Sequence, residues 1–75
     1  MVYEKLKKII VNVLGVNADR IKPESSFVDD LGADSIDLIN MAIDIEDEFE
    51  IDIADSEAIK LKTVGEAVEY IRDHM

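Results

Sequence analysis

The 75-residue chain has no cysteine and no tryptophan, one histidine, one proline and three glycines, and aromatic residues make up only 5% of it. No disulfide can brace the fold, although the chain is close to the size at which one apolar core barely suffices. Apolar residues nevertheless reach 48%, too many for a disordered chain, so the core must be built from Ile, Leu, Val and Met. Lysine and arginine are missing from the whole stretch between Pro23 and Ile59, which holds thirteen Asp and Glu residues, while all eight basic residues lie outside it. The formal charge of −10 is therefore concentrated in mid-chain. A field of one sign disfavours nucleic acid and anionic membrane and favours protein partners with basic patches. No apolar run approaches the ~20 residues that span a bilayer, and no membrane insertion is expected.

Lys5, Lys7 and Lys8 followed by Ile9-Ile10-Val11 imitate the head of a signal peptide, but Asn12 interrupts the run and no small-residue cleavage site follows. The expectation is a cytoplasmic protein, which the lack of cysteine suits. An organelle form with its presequence removed is the alternative.

What is present reads as helix. Val2, Leu6, Ile9, Ile10, Val13 and Leu14 recur at three- and four-residue spacing, and Gly15 supplies a stop. Residues 16–34 have no sustained period and carry Asn17, Pro23, Ser25-Ser26 and Gly32, which predicts a long loop. Loops of that length in a small domain usually have structure or function of their own, and Val16, Ile21, Phe27 and Leu31 are the residues to pin this one to the core. A second helix is expected from Ser35 to Phe49, with Asp34 as N-cap and Asp37 favourably placed in the helix dipole. Residues 50–54 form a connection, 55–60 leave room for a short helical turn, and Thr63 to Glu66 is a capping box opening a last helix with Val64, Ala67, Val68 and Ile71 on one face. No strand pattern competes, so the class is all-α, with residues 1–75 as a single domain.

Winding residues 35–49 at about 100° per residue sorts the apolar positions into two groups. Leu38, Met41, Ala42, Ile45 and Phe49 make a broad arc that is expected to be buried. Ile36, Ile39 and Ile43 make a narrower stripe roughly 140° away on the same construction. Asp37, Asn40, Asp44, Glu46 and Asp47 flank that stripe, and an apolar strip rimmed by carboxylates has the composition of a docking surface. A central helix that buries both stripes is the alternative. Ser35 lies at the border of the two groups.

A serine nucleophile needs a base within hydrogen-bond reach and donors for an oxyanion. The single histidine, His74, is next to last, and no Gly-x-Ser-x-Gly elbow exists. Self-contained serine catalysis is not expected. Asp44, Glu46 and Glu48 imitate the first ligands of a calcium loop, but Phe49 stands where glycine is needed and the segment is helical, so no dedicated metal site is predicted. What remains is a serine that is acted upon.

The residues that bear on this role are Phe27-Val28-Asp29-Asp30-Leu31-Gly32-Ala33-Asp34-Ser35-Ile36-Asp37, with Glu46-Asp47-Glu48-Phe49 downstream and Thr63-Val64 opening the last helix. Together they resemble an acyl carrier protein of the dissociated fatty-acid-synthesis type, over essentially the whole chain. The resemblance implies a small four-helix bundle with a long first loop and a short third helix. It implies that Ser35 is esterified to 4′-phosphopantetheine, taken from coenzyme A by a phosphopantetheinyl transferase (a holo-acyl-carrier synthase) that brings the base and metal this chain lacks. It implies further that Asp34 and Asp37 are read by basic partner residues. The partners would be acyltransferases, ketoacyl synthases, reductases and dehydratases, and the protein would be a monomeric carrier rather than an enzyme.

Four positions depart from the usual family pattern. Ile36 stands where Leu is commonest, Asn40 where an acidic residue is frequent, Ala54 in place of a frequent Pro, and Ile59 in place of a frequent Glu. They bear on partner choice. A specialised carrier for polyketide, lipid A-type or D-alanyl transfer remains an alternative, and so does an unmodified acidic adaptor docking through Ile36, Ile39 and Ile43.

Overall fold

The three- and four-residue spacing at the N-terminus winds into α1, Val2–Leu14, which buries Leu6, Ile9 and Ile10. Gly15 ends it at φ +69, a left-handed conformation that glycine adopts without a Cβ penalty, and its N–H returns to the Val11 carbonyl at 2.9 Å. The computed structural model describes residues 2–75, and within them follow a 3₁₀ turn at Ala18–Arg20, α2 at Ser35–Phe49, α3 at Asp55–Ala58 and α4 at Val64–His74. α1 packs chiefly on α2 and also on α4, and α3 packs on α2. The result is the four-helix, all-α architecture expected.

One core collects side chains from all four α-helices: Leu6 and Ile10 from α1, Met41 and Ile45 from α2, Ala58 from α3, and Val64 and Ile71 from α4 are all essentially inaccessible. Phe27, in the first connection, is 0% exposed and the largest of the fully buried side chains. Ile21, Leu31 and Ala33 are buried with it, and Val16 packs against the core from its edge.

The connection from 15 to 34 is therefore not loose. Its backbone is tied to the start of α4: Phe27 N–H donates to the Lys62 carbonyl at 3.0 Å, Val64 N–H to Ser25 at 3.0 Å, and Gly65 N–H to Pro23 at 2.8 Å. These bonds flank an isolated antiparallel bridge between Ser26 and Thr63. The approach explains Gly65, since a Cβ there would lie 3.1 Å from the Pro23 carbonyl oxygen.

The capping box expected at α4 is only half formed. Thr63 Oγ1 accepts from Glu66 N–H at 3.2 Å, but Glu66 Oε1 accepts from Lys62 N–H at 3.3 Å rather than from the cap residue itself. The strap at 23–25 has already taken the amides of Val64 and Gly65, and Ala67 N–H donates to the Thr63 carbonyl. The donors of this first turn are thus accounted for, without the reciprocal bond.

Candidate functional site

The turn before α2 is set by Gly32, at φ +74, where an added Cβ would meet nothing within 4 Å. The glycine is needed for its backbone conformation, and the space in front of it is open. Asp30 and Leu31 N–H both donate to the Ser26 carbonyl at 3.0 Å, and Ala33 N–H donates to Phe27 at 2.8 Å, closing the turn over the buried Phe27. The chain leaves this anchored turn at Asp34 and begins the helix at Ser35.

Asp34 is the N-cap, as its position predicts, and the box is complete. Its Oδ1 accepts from Asp37 N–H at 2.9 Å, and Asp37 Oδ2 accepts from Asp34 N–H at 3.2 Å. The two carboxylates flanking Ser35 therefore hold the helix start as well as lending it charge, a reciprocal role that the dipole argument for Asp37 alone did not reach. Leu38 N–H donates to the Asp34 carbonyl at 3.0 Å. Among the described residues, the N–H groups of Ser35 and Ile36 have no such acceptor. The contrast with α4 is direct: there the first-turn amides are consumed, and here two are left at the serine.

Ser35 itself is exposed, on the first residue of α2. Among the described residues its hydroxyl makes no hydrogen bond to a side chain that could serve as a base. His74 lies at the end of α4, its ring stacked on Tyr70 at a centroid distance of 4.0 Å, with Nδ1 2.7 Å from the Tyr70 carbonyl oxygen. The Ser35 side chain is open to solvent at the start of the helix. Two free amides at a helix N-terminus also suit a phosphate linked to the serine oxygen.

The wheel construction separates the faces of α2 largely as expected. Leu38, Met41, Ala42 and Ile45 are buried. Phe49 is only half-buried, because it lies at the helix end, where Lys5 of α1 sits 5.9 Å over its ring and pairs with Glu48 at 3.5 Å. Ile36 is 68% exposed and Ile43 50% exposed, so the alternative in which the domain buries both stripes is set aside. Asp34, Asn40, Asp44 and Asp47 are exposed around them, and Asp37 is half-buried in the cap.

Two members of the predicted docking set behave differently. Ile39 and Glu46 are half-buried. They are seven residues apart, two turns on the same side, at the edge where the stripe meets the buried arc. Glu46 Oε2 accepts from Ile53 N–H at 3.1 Å, so this carboxylate is engaged with the connection to α3 rather than standing free beside the stripe. Val28, 55% exposed, adds an apolar surface residue that periodicity could not reveal, because it lies in the turn; Ile59 is 49% exposed, in keeping with its apolar departure from the family pattern.

Surface hollows lie elsewhere. One of about 470 Å³ is lined by Lys7, Lys8, Val11 and Ala18, and another of about 470 Å³ by Arg20, Lys22 and Asp30; Ser35 lines neither. No helix among the described residues is long and apolar enough to cross a membrane.

Comparison with known proteins points the same way. A family model described as a phosphopantetheine attachment site matches residues 4–71. The acyl carrier protein of Clostridium acetobutylicum is 51% identical over 74 residues, covering 99% of this chain and 96% of that one. The solved structure of the acyl carrier protein from Enterococcus faecalis, a study of that protein's high thermal stability, superposes with a TM-score of 0.80 at 40% identity, covering 99% of this chain and 94% of that one.

Proposed function

We propose, on the premise that this chain belongs to the acyl carrier protein family with its phosphopantetheine attachment site, that it holds acyl groups as thioesters on an arm esterified to Ser35 and presents them to the enzymes of fatty-acid synthesis. Members of this family are carriers and not catalysts, and so is this chain. The observation that carries the proposal is the exposed Ser35 hydroxyl at the start of α2, beside two amides that have no acceptor among the described residues.

The chemistry divides accordingly. A phosphopantetheinyl transferase would supply the base and metal: Ser35 Oγ would give its proton to that base and form the O–P bond as the pyrophosphate linkage of coenzyme A breaks and adenosine 3′,5′-bisphosphate leaves, and the attached 4′-phosphopantetheine would supply a thiol that activates an acyl group. The chain's own residues position: the Asp34–Asp37 box fixes the helix start, and the Phe27 turn fixes where that start lies. Residues 1–75 act as one carrier unit. Ile36 and Ile43, with Asp44 and Asp47 beside them, give partners an apolar contact inside a carboxylate rim. Acyltransferases, ketoacyl synthases, reductases and dehydratases with basic patches fit that rim, in the cytoplasm or in an organelle.

The test is intact mass after incubation with coenzyme A and a phosphopantetheinyl transferase. The parent chain gains the mass of the arm, and Ser35→Ala, which changes one exposed side chain and keeps the helical circular dichroism, gains nothing. A mass gain on Ser35→Ala sinks the assignment. The exposed isoleucines favour one second reading, an unmodified adaptor, and the mass of the protein from its own cells separates the two.

A further inference from the structure

Beyond the serine, α2 carries one contact that the carrier role leaves unused. Glu46 reaches across seven residues to accept the Ile53 N–H at 3.1 Å, in a partly buried setting. Apart from the buried side chains of Ile51, Ile53, Ala58 and Leu61, this is the side-chain bond that ties the segment that follows to α2. α3 has four residues, too few to be stable alone; its N-cap Ala54 offers no side-chain acceptor, and Ala58 is its one buried residue. Its amides rest on local bonds, Glu57 and Ala58 N–H to Ala54 at 2.9 and 3.0 Å and Ile59 N–H to Asp55 at 3.1 Å. The side chains of Ile51 and Ile53 are buried, which draws the Ile53 amide toward the interior, and without Glu46 that donor would lose its acceptor.

We propose that Glu46 is a positioning residue: its carboxylate serves as the acceptor that seats α3 on α2, and so fixes the place of the exposed Ile59 relative to the stripe of Ile36 and Ile43. Its charge opposes this task. Glu46 is adjacent to Asp47 and two residues from Asp44 and Glu48, in a stretch without a single basic residue. A residue that acted by charge alone would, on replacement by either Ala or Gln, relieve repulsion. A residue that acts as an acceptor loosens the segment with Ala and preserves it with Gln, whose side-chain carbonyl still accepts.

The deciding measurement is amide hydrogen exchange by NMR on the full, unmodified chain and on Glu46→Ala, Glu46→Gln and Asp47→Asn. Glu46→Ala is expected to speed exchange at Ile53, Glu57, Ala58 and Ile59 by about tenfold, with the buried amides of α1 and α4 unchanged. Glu46→Gln is expected within about threefold of the parent, and Asp47→Asn no faster than the parent. Unchanged exchange in Glu46→Ala, or equal loss in the Gln and Ala variants, overturns the proposal.

The consequence for docking rests on the carrier reading, and loading by the transferase with coenzyme A reads it. Glu46→Ala is expected to raise the KM for the carrier several-fold with kcat kept, and Glu46→Gln to restore it; equal losses in both variants would make Glu46 a docking charge and overturn the positioning role. A parent chain that gains no mass sinks the carrier reading alone, since exchange in the unmodified chain still decides what Glu46 does.

Discussion

The two irregular connections of this protein invert what their lengths suggest. The first, from Gly15 to Asp34, is long and contains nothing more regular than a three-residue 3₁₀ turn, yet it buries Ile21, Ser25, Phe27, Leu31 and Ala33. It is also bonded to distant parts of the chain, by Tyr3 Oη–H to the Ile21 carbonyl at 3.2 Å and by the three backbone bonds to residues 62–65. The second, from Glu50 to Thr63, is shorter, includes a helix and buries Ile51, Ile53, Ala58 and Leu61; its last residues share the backbone bonds of the first, and ahead of them Glu46 to Ile53 is the side-chain bond that holds it to α2. Anchors and bonds to remote residues determine how firmly a segment is held, and length does not. The first connection leads directly into Ser35, whereas the second carries the exposed Ile59.

The largest expected effect tests the firmness of the first connection. Phe27→Ala removes the largest fully buried side chain and is expected to cost about 3–5 kcal/mol, a large share of the ~5 kcal/mol that a domain of this size commands. The equivalent truncation in the second connection, Ile53→Ala, is expected to cost about 2–3 kcal/mol. Urea midpoints measure both. A larger loss at Ile53 than at Phe27 would break the comparison, because the second connection would then be the better anchored of the two.

A smaller effect isolates the polar part of the same anchoring. Ser25 is 6% exposed; its Oγ accepts from Lys22 N–H at 3.0 Å and its hydroxyl donates to the Arg20 carbonyl at 3.3 Å. Ser25→Ala leaves a donor and an acceptor unpaired and is expected to lower stability by roughly 1–2 kcal/mol, seen as a lower urea midpoint at unchanged slope. No loss would mean that water replaces the hydroxyl, and that the burial of Phe27 alone makes the connection firm.

How much of this was legible in the sequence follows from the range of the forces involved. The bounds of α1 and α2, the N-cap at Asp34 and the exposure of Ile36 and Ile43 are set by neighbours within a few residues, so spacing alone revealed them. Ser35 stood out for the same reason, as the polar residue between a glycine turn and an apolar helix. The strap between residues 23–27 and 62–65 joins backbone groups far apart in sequence, and no side-chain pattern records it except Gly65, which has a packing reason visible only with Pro23 beside it. The bond from Ile53 N–H to Glu46 could not be read from spacing either, because a helical wheel treats every carboxylate on one side alike. The acceptor role of Glu46 depends on where Ile53 returns, which is a tertiary fact.

The smallest effect concerns the joint between α2 and the second connection, where the backbone is least at ease. Glu50 ends α2 at φ 56 and ψ 47, the one non-glycine residue with positive φ among the described residues. Gly15 and Gly32 fill the other two positive-φ positions, so this is the single place where the chain spends a side chain on a conformation that disfavours it. A left-handed residue with a Cβ costs about 1–2 kcal/mol, and glycine returns about 0.4–1 kcal/mol of that through the freedom it adds to the unfolded chain. Glu50→Gly is therefore expected to stabilise by about 0.5 kcal/mol, or roughly 2–4 °C in Tm. Removing a carboxylate from the acidic stretch also helps, and Glu50→Gln measures that part separately, since it keeps the Cβ and drops the charge. The expected order of Tm is Gly above Gln above the parent. If Gln matches Gly, repulsion rather than backbone strain weakens this joint, and the looseness of the second connection belongs to its charge and not to its geometry.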